Sequence, residues 1–252
     1  MKQLMYLFLG LILLPGTGRG QTGYNIAKKV DQRLEPADLT ANLTMVLTNS
    51  RGKTRSNTIR SVSMNGGEKQ IIWFLAPADD KGVAFLKIEH PGANDEMRLW
   101  LPAFKKVRRI SSSKKGDSFM GSDMSYEDMT NRDLDDYTYK LLKEEPVNGI
   151  DCYVLEETPA PEIESTYSKH MTWISKKDYT VVKEESYDLS GVLKKTKKIE
   201  YVTKGKYILP VKMFVEDVQK DHTTLLTFDR IEVDQGIQDN LFRERNLKRL
   251  PH

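Results

Sequence analysis

The chain carries 39 Lys and Arg against 36 Asp and Glu over 252 residues, a net charge of +3. Cleavage of the first twenty residues would remove Lys2 and Arg19 and leave +1, so the charge balance gives no footprint for a nucleic-acid partner. The one cysteine, Cys152, closes no intramolecular disulfide, and stability has to come from a core that about 230 residues can build as one domain.

At the N-terminus, Lys2 precedes an apolar run from Leu4 to Leu14, broken by Pro15 and Gly16. Gly18 and Gly20 then stand at the small-residue positions before a cut at Gln21. This is the pattern of a cleavable signal peptide over residues 1–20, too short to span a membrane. No Cys follows it to accept a bacterial lipid anchor. Residues 21–252 are therefore expected to be one exported, soluble, monomeric domain located in the periplasm.

Ile26, Val30 and Leu34 at four-residue spacing predict one amphipathic helix over 24–34, ended by Pro36. The period then changes to two. Strands are expected over 39–49, 54–64, 70–76, 83–89, 96–101 and 105–110, separated by turns such as Asn65-Gly66-Gly67 and Asp79-Asp80-Lys81-Gly82. After an interruption they resume over 137–145, 150–157, 167–175, 180–189, 192–203, 207–217 and 222–233. Asn148-Gly149 there gives a type I′ hairpin signal. Asp239-Asn240 is expected to cap a short last helix with Arg245, Lys248 and Arg249 in its final turn. The regular strand spacing marks an all-β sandwich or barrel.

The interruption is the informative stretch. Lys105, Lys106, Arg108, Arg109, Lys114 and Lys115 form a basic block without an acid among them. The acidic run from Asp117 to Asp136 follows, with Arg132 its only cation, and it carries Phe119, Met120, Met124, Tyr126 and Met129. That is too much apolar surface for a solvated loop. Phe119 to Met129 is expected to be a lid: Gly121 turns the backbone, Ser122 or Ser125 caps a short helix, with Ser125 to Asp128 at the relaxed capping-box spacing, and Phe119, Met120 and Met124 point inward. Asp123, Glu127 and Asp128 are expected to stay in water.

No motif of catalysis is present. His90, His170, His222 and His252 lack metal-ligand spacing, and there is no HExxH, CxxC, GxSxG, P-loop or dinucleotide fingerprint. Asp123, Glu127 and Asp128 do not match an EF-hand, and Cys152 reads as a buried structural thiol. Neither an enzyme nor a cofactor or metal is expected. The aromatic residues Trp73, Phe85, Trp100, Trp173, Phe214 and Phe228, on separate strands, are expected to line an apolar ligand cavity together with Phe119, Met120, Met124 and Tyr126. Lys105, Lys106, Arg108 and Arg109 are candidates to meet an anionic headgroup or an acidic partner.

Trp100-Leu101-Pro102, Lys106-Val107-Arg108-Arg109, Phe119-Met120-Gly121-Ser122-Asp123 and Tyr126-Glu127-Asp128 follow one another as in a known family. The chain resembles the periplasmic outer-membrane lipoprotein-sorting proteins, relatives of the lipoprotein carrier LolA. The resemblance implies a LolA-like half-open, strongly curved antiparallel β-sheet (an unclosed barrel) with a few covering helices. It implies carriage of a lipid or a lipoprotein acyl chain across the periplasm. A resistance-nodulation-division (RND) type exporter or an outer-membrane acceptor would be the partner. The motifs fit this broader subgroup more than LolA itself, whose gating arginine has no counterpart identified here. A different class of role on the same sheet is a non-transporting sensor or scaffold that binds a protein.

Overall fold

The computed structural model describes residues 22–90 and 92–251; the expected signal peptide lies outside them. A helix, α1 (Gly23–Asp31), is followed by β1 (Asp38–Thr48), β2 (Thr54–Met64), β3 (Lys69–Ala76), β4 (Ala84–Ile88), β5 (Glu96–Leu101) and β6 (Lys106–Arg109). After the long connection come β7 (Tyr137–Val147), β8 (Ile150–Pro159), β9 (Lys169–Ser175), β10 (Val181–Tyr187), β11 (Leu193–Lys204), β12 (Tyr207–Asp217) and β13 (His222–Val233). All thirteen form one antiparallel sheet in the order β6-β5-β4-β3-β2-β1-β13-β12-β11-β10-β9-β8-β7. Chain neighbours pair as hairpins, β1 pairs with β13, and β6 and β7 are left as the two free edges. The barrel is not closed.

Short polar turns explain the meander. Asn148 and Gly149 both have positive φ, 50° and 81°, the type I′ geometry whose twist suits a tight hairpin. Curvature has a local cause as well. Register shifts interrupt six pairings, between Thr40 and Asn42, Thr58 and Ile59, Leu141 and Lys143, Val181 and Lys183, Ser186 and Tyr187, and Glu200 and Tyr201. Each such bulge bends and twists its strand.

Alternation gives the sheet two faces. On the inner face Leu43, Met45, Phe74, Phe85, Leu209 and Leu226, from strands far apart in the order, join one buried cluster. At the β7–β9 end the inner face is covered by α1, where Ile26 and Ala27 pack on Leu155 and Ile174. The helix lies close because Gly23 touches backbone: a Cβ there would stand 2.6 Å from the Tyr139 carbonyl oxygen. The Thr22 hydroxyl caps α1 by accepting from the Asn25 amide at 3.2 Å. The helix is shorter than its apolar spacing predicts; it ends at Asp31, and Leu34 is exposed beyond it.

On the outer face of β2–β4, Val62, Ile71, Trp73 and Leu86 are covered by Phe242 and Leu247 of the C-terminal segment. Asp38 sets that segment's course, its carboxylate accepting from the amides of Gln235, Gly236 and Ile237 at 2.8–3.0 Å. The last helix expected from Asp239-Asn240 is instead two 3-10 turns, Asp239–Leu241 and Glu244–Lys248. Such short pieces have little helical stability of their own, and the anchoring of Phe242 and Leu247 decides their shape.

Candidate functional site

The connection over 110–136 starts at one free edge of the sheet and ends at the other, so it crosses the opening of the half-barrel. Its tip is a small hairpin. Ser118 and Ser125 form a β-bridge, and the Phe119 amide donates to the Met124 carbonyl at 2.7 Å. Met120 and Gly121 both have positive φ, 52° and 79°, and the Ser122 amide closes the turn on the Phe119 carbonyl at 2.9 Å. A capping box follows: the Ser125 amide donates to Asp128 at 2.7 Å and the Asp128 amide to the Ser125 hydroxyl at 3.2 Å. The 3-10 turn Glu127–Met129 follows, with Tyr126 at its N-cap position.

This tip fills the inner face. Phe119 is 2% exposed, with its ring centroid 5.2 Å from Phe85, 5.9 Å from Tyr126 and 6.2 Å from Phe74. Met124 and Tyr126 are buried in the same cluster, and Met120 and Phe228 pack at its margin. The largest apolar groups at the centre of the half-barrel thus come partly from a connection and not from the strands. A pocket of about 190 Å³ lies elsewhere on the inner face, lined by no residue of the connection, with Leu39, Ala41, Leu209, Phe228 and Ile231 as its apolar wall and Ser61, Ser63 and Gln70 as polar lining. That is below the volume of a site for a drug-sized ligand, about 300–1,000 Å³.

Contrary to expectation, Asp123 and the Asp128 carboxylate are buried and Glu127 is half-buried. Asp123 is 4% exposed; its carboxylate lies 2.8 Å from His222 Nδ1 and accepts from the Thr224 hydroxyl at 2.6 Å. Its amide donates to the same hydroxyl oxygen at 2.9 Å. Asp128 pairs with Lys195 at 2.6 Å and accepts from the Tyr167 hydroxyl at 3.0 Å. Burial alone would raise the Asp128 carboxyl, but Lys195 and Lys197, with hydrogen bonds from Lys195 and the Ser125 amide, hold it at about 2. Glu127 is bonded to Ser165 and Thr166. These acids stand inside because their partners, on β11, β13 and the β8–β9 loop, supply charge and donors that replace water.

The lone cation of the acidic run, Arg132, makes the deepest tie. It grips Glu184 through two nitrogens at 2.7 and 3.0 Å and reaches Glu157 and His170 at 3.3 Å. Burial opposes charge at both partners, yet the guanidinium and Lys197 hold the Glu184 carboxyl well below its usual range. Burial and then the Arg132 charge hold His170 down at about 3, so the imidazole is neutral. Its Nδ1 lies 2.9 Å from the Ser186 hydroxyl. The connection is therefore held by apolar contacts on the β1–β5 side and by ion pairs on the β8–β11 side.

Several residues expected at the cavity lie elsewhere. Trp73 and Trp100 belong to the outer cluster under the C-terminal segment, where the Trp73 indole donates to the Asn246 carbonyl at 3.4 Å. Trp173 is on the outer face with Cys152, Val154 and Val182, under the Lys183 ammonium at 3.9 Å. Phe214 lines an outer groove with Leu225 and Val182. All four face outward because their strand partners Ala84, Val107, Val154 and Leu225 occupy outward register positions. Lys105, Lys106, Arg108 and Arg109 are exposed on and beside edge strand β6. Among the described residues no group of three or more His, Cys, Asp or Glu is placed to share a metal ion. No helix among them is long and apolar enough to cross a membrane.

A family model described as "Uncharacterized protein" matches residues 66–249. No curated protein matches the chain. Solved structures do. The putative outer membrane lipoprotein-sorting protein domain from Vibrio parahaemolyticus is 33% identical, over 90% of this chain and 98% of that one, with a TM-score of 0.85. A DUF1329 family protein from Desulfovibrio piger is 32% identical, over 89% and 97%, also at 0.85. A LolA superfamily protein from Nitrosomonas europaea shares the fold at 21% identity and a TM-score of 0.71, over 89% and 98%. With its unclosed sheet and its crossing connection, the chain has the LolA-like fold and belongs to the family of the outer membrane lipoprotein-sorting domain from Vibrio parahaemolyticus and the DUF1329 protein from Desulfovibrio piger.

Proposed function

We propose that this protein is a periplasmic carrier that takes up a lipid or a lipoprotein acyl chain on its inner face and hands it on. An RND-type exporter or an outer-membrane acceptor is its counterpart in that exchange. One observation carries the reading: Phe119, Met124 and Tyr126 occupy the inner face as an apolar filling supplied by the connection between the two free edges, not by the strands. The Vibrio relative's description as a lipoprotein-sorting domain supports the same class of cargo.

Burying those three side chains is worth about 6 kcal/mol in total, taking about 2 kcal/mol for each. An acyl chain that displaces them gains about 0.8 kcal/mol per buried methylene. Roughly eight methylenes offset the filling, and binding needs more to cover the polar ties and the lost freedom of the chain. Long chains are therefore selected over short ones by arithmetic, with no bond making involved.

Titration with fluorescent fatty acyl probes of graded length tests this. Affinity is expected to be negligible near eight carbons and to rise about fourfold per added carbon beyond that. Equal affinity for short and long chains, or none for either, would refute the carrier reading. Native mass spectrometry of protein purified from the periplasm then identifies the cargo class.

A further inference from the structure

The 3-10 turn Pro102–Phe104 joins β5 to β6 and leaves Phe104 70% exposed. Lys105, next to it, has φ +48° and turns the chain into the edge strand. Leu99 and Leu101 sit opposite Arg108 and Lys106 in the register, and Arg98 opposite Arg109. Lys106 and Arg108 therefore stand on the inner side of the edge and Arg109 on the outer side. None of the four cations at Lys105, Lys106, Arg108 and Arg109 forms an ion pair with another described residue.

Guarding a free edge against strand pairing accounts for one or two such charges. The other free edge shows what guarding alone looks like. On β7, Lys143 pairs with Glu145 at 2.6 Å and Glu144 pairs with Lys176, so both signs are present and neutralised. At β6 the charge has one sign, is unpaired, and stands beside a bare phenyl ring that edge guarding would not retain. An aromatic side chain with flexible cations around it matches an interface that is anionic at its surface and apolar just beneath.

We propose that the β5–β6 corner, Phe104 with Lys105, Lys106, Arg108 and Arg109, docks the protein on the anionic headgroup surface of a lipid bilayer. β6 is only four residues long, a blunted edge that offers few backbone groups to a partner strand. Arg108 lies on the same side of the sheet as the lid tip, so docking brings the opening of the half-barrel to the lipid surface. The biological use of this docking rests on the carrier reading; the docking itself does not.

The test is flotation of the mature chain with phosphatidylcholine vesicles lacking or containing about 30% phosphatidylglycerol, at about 0.05 and 0.3 M salt. Binding is expected only with phosphatidylglycerol and is expected to weaken at the higher salt. Replacing all four cations by Gln lowers partitioning at least ~tenfold. Phe104→Ser lowers it several-fold and leaves the salt dependence in place. Thermal melting confirms that each variant is folded. Equal partitioning on neutral vesicles, no partitioning of wild type, or Gln variants that float like wild type would overturn the proposal. Acyl-probe titration on the same variants in solution separates the two ideas: its loss in wild type with flotation intact would sink the carrier reading and leave the docking standing.

Discussion

Phe119→Ala distinguishes a removable filling from an ordinary core residue. The ring is 2% exposed and touches Phe74, Phe85 and Tyr126, so its truncation in a fixed core costs about 3–5 kcal/mol. If the hairpin over 118–125 can swing out, the loss falls on the closed state alone, because the open state already exposes the ring. The loss of global stability is then capped at the free energy that separates open from closed. The same loss raises the apparent affinity for a long acyl probe, since the competent state becomes more populated. A shift of about 3 kcal/mol in the lid equilibrium sets a ceiling near a hundredfold, reached only if the wild-type lid is closed nearly all the time. Urea denaturation and probe titration on one preparation measure both quantities. A full 3–5 kcal/mol loss of stability with unchanged or weaker probe binding would refute the reasoning and make Phe119 plain core.

Arg132→Met leaves Glu157 buried without its cation and Glu184 with Lys197 alone, and a loss of about 3 kcal/mol in urea unfolding is expected. Adding Glu184→Gln to it should recover part of that loss. His170 gives a pH dependence whose sign is fixed by its depressed value of about 3 against an ordinary value near 6.5. The unfolded chain binds this proton below about 6.5 and the folded chain only near 3, so the neutral imidazole's contribution is whole above pH 6.5 and lost as pH falls toward 3. Arg132, Glu184, Lys197 and Asp128 all bear on this imidazole. Wild type should therefore lose stability faster than His170→Gln over that window, by up to about 1.4 kcal/mol per pH unit. Parallel pH profiles for the two would contradict the buried neutral histidine.

The strand pattern was legible because each strand pairs with its chain neighbour, so period-two runs and turn residues carry nearly all of the topology. Ser125 and Asp128 were legible for a similar reason: a capping box is local chemistry three residues long. The face of an aromatic residue was not. In β3 both Trp73 and Phe74 are buried, and alternation alone does not say which of them looks inward. The C-terminal segment, over 160 residues later, decides it by covering Trp73. The acids of the connection were misplaced for the same cause. Asp123 and Asp128 read as solvated beside their own neighbours, while their partners His222, Thr224 and Lys195 are far along the chain. A signal for the Arg132 site did exist. Glu157, His170 and Glu184 occupy the inward register of three neighbouring strands, where a charge needs a partner from outside the sheet.

The most direct test of the removable lid is a reversible lock across the contact between its tip and the sheet. Asp123 and Thr224 hydrogen-bond side chain to side chain, so Asp123→Cys with Thr224→Cys, in a Cys152→Ala background, places a disulfide there. Uptake of a long acyl probe is then compared before and after reduction of the same sample. Access by lid opening predicts negligible uptake while oxidised and full uptake once reduced. Equal uptake in both states would contradict it, because the inner face would then be reached without moving the segment that fills it.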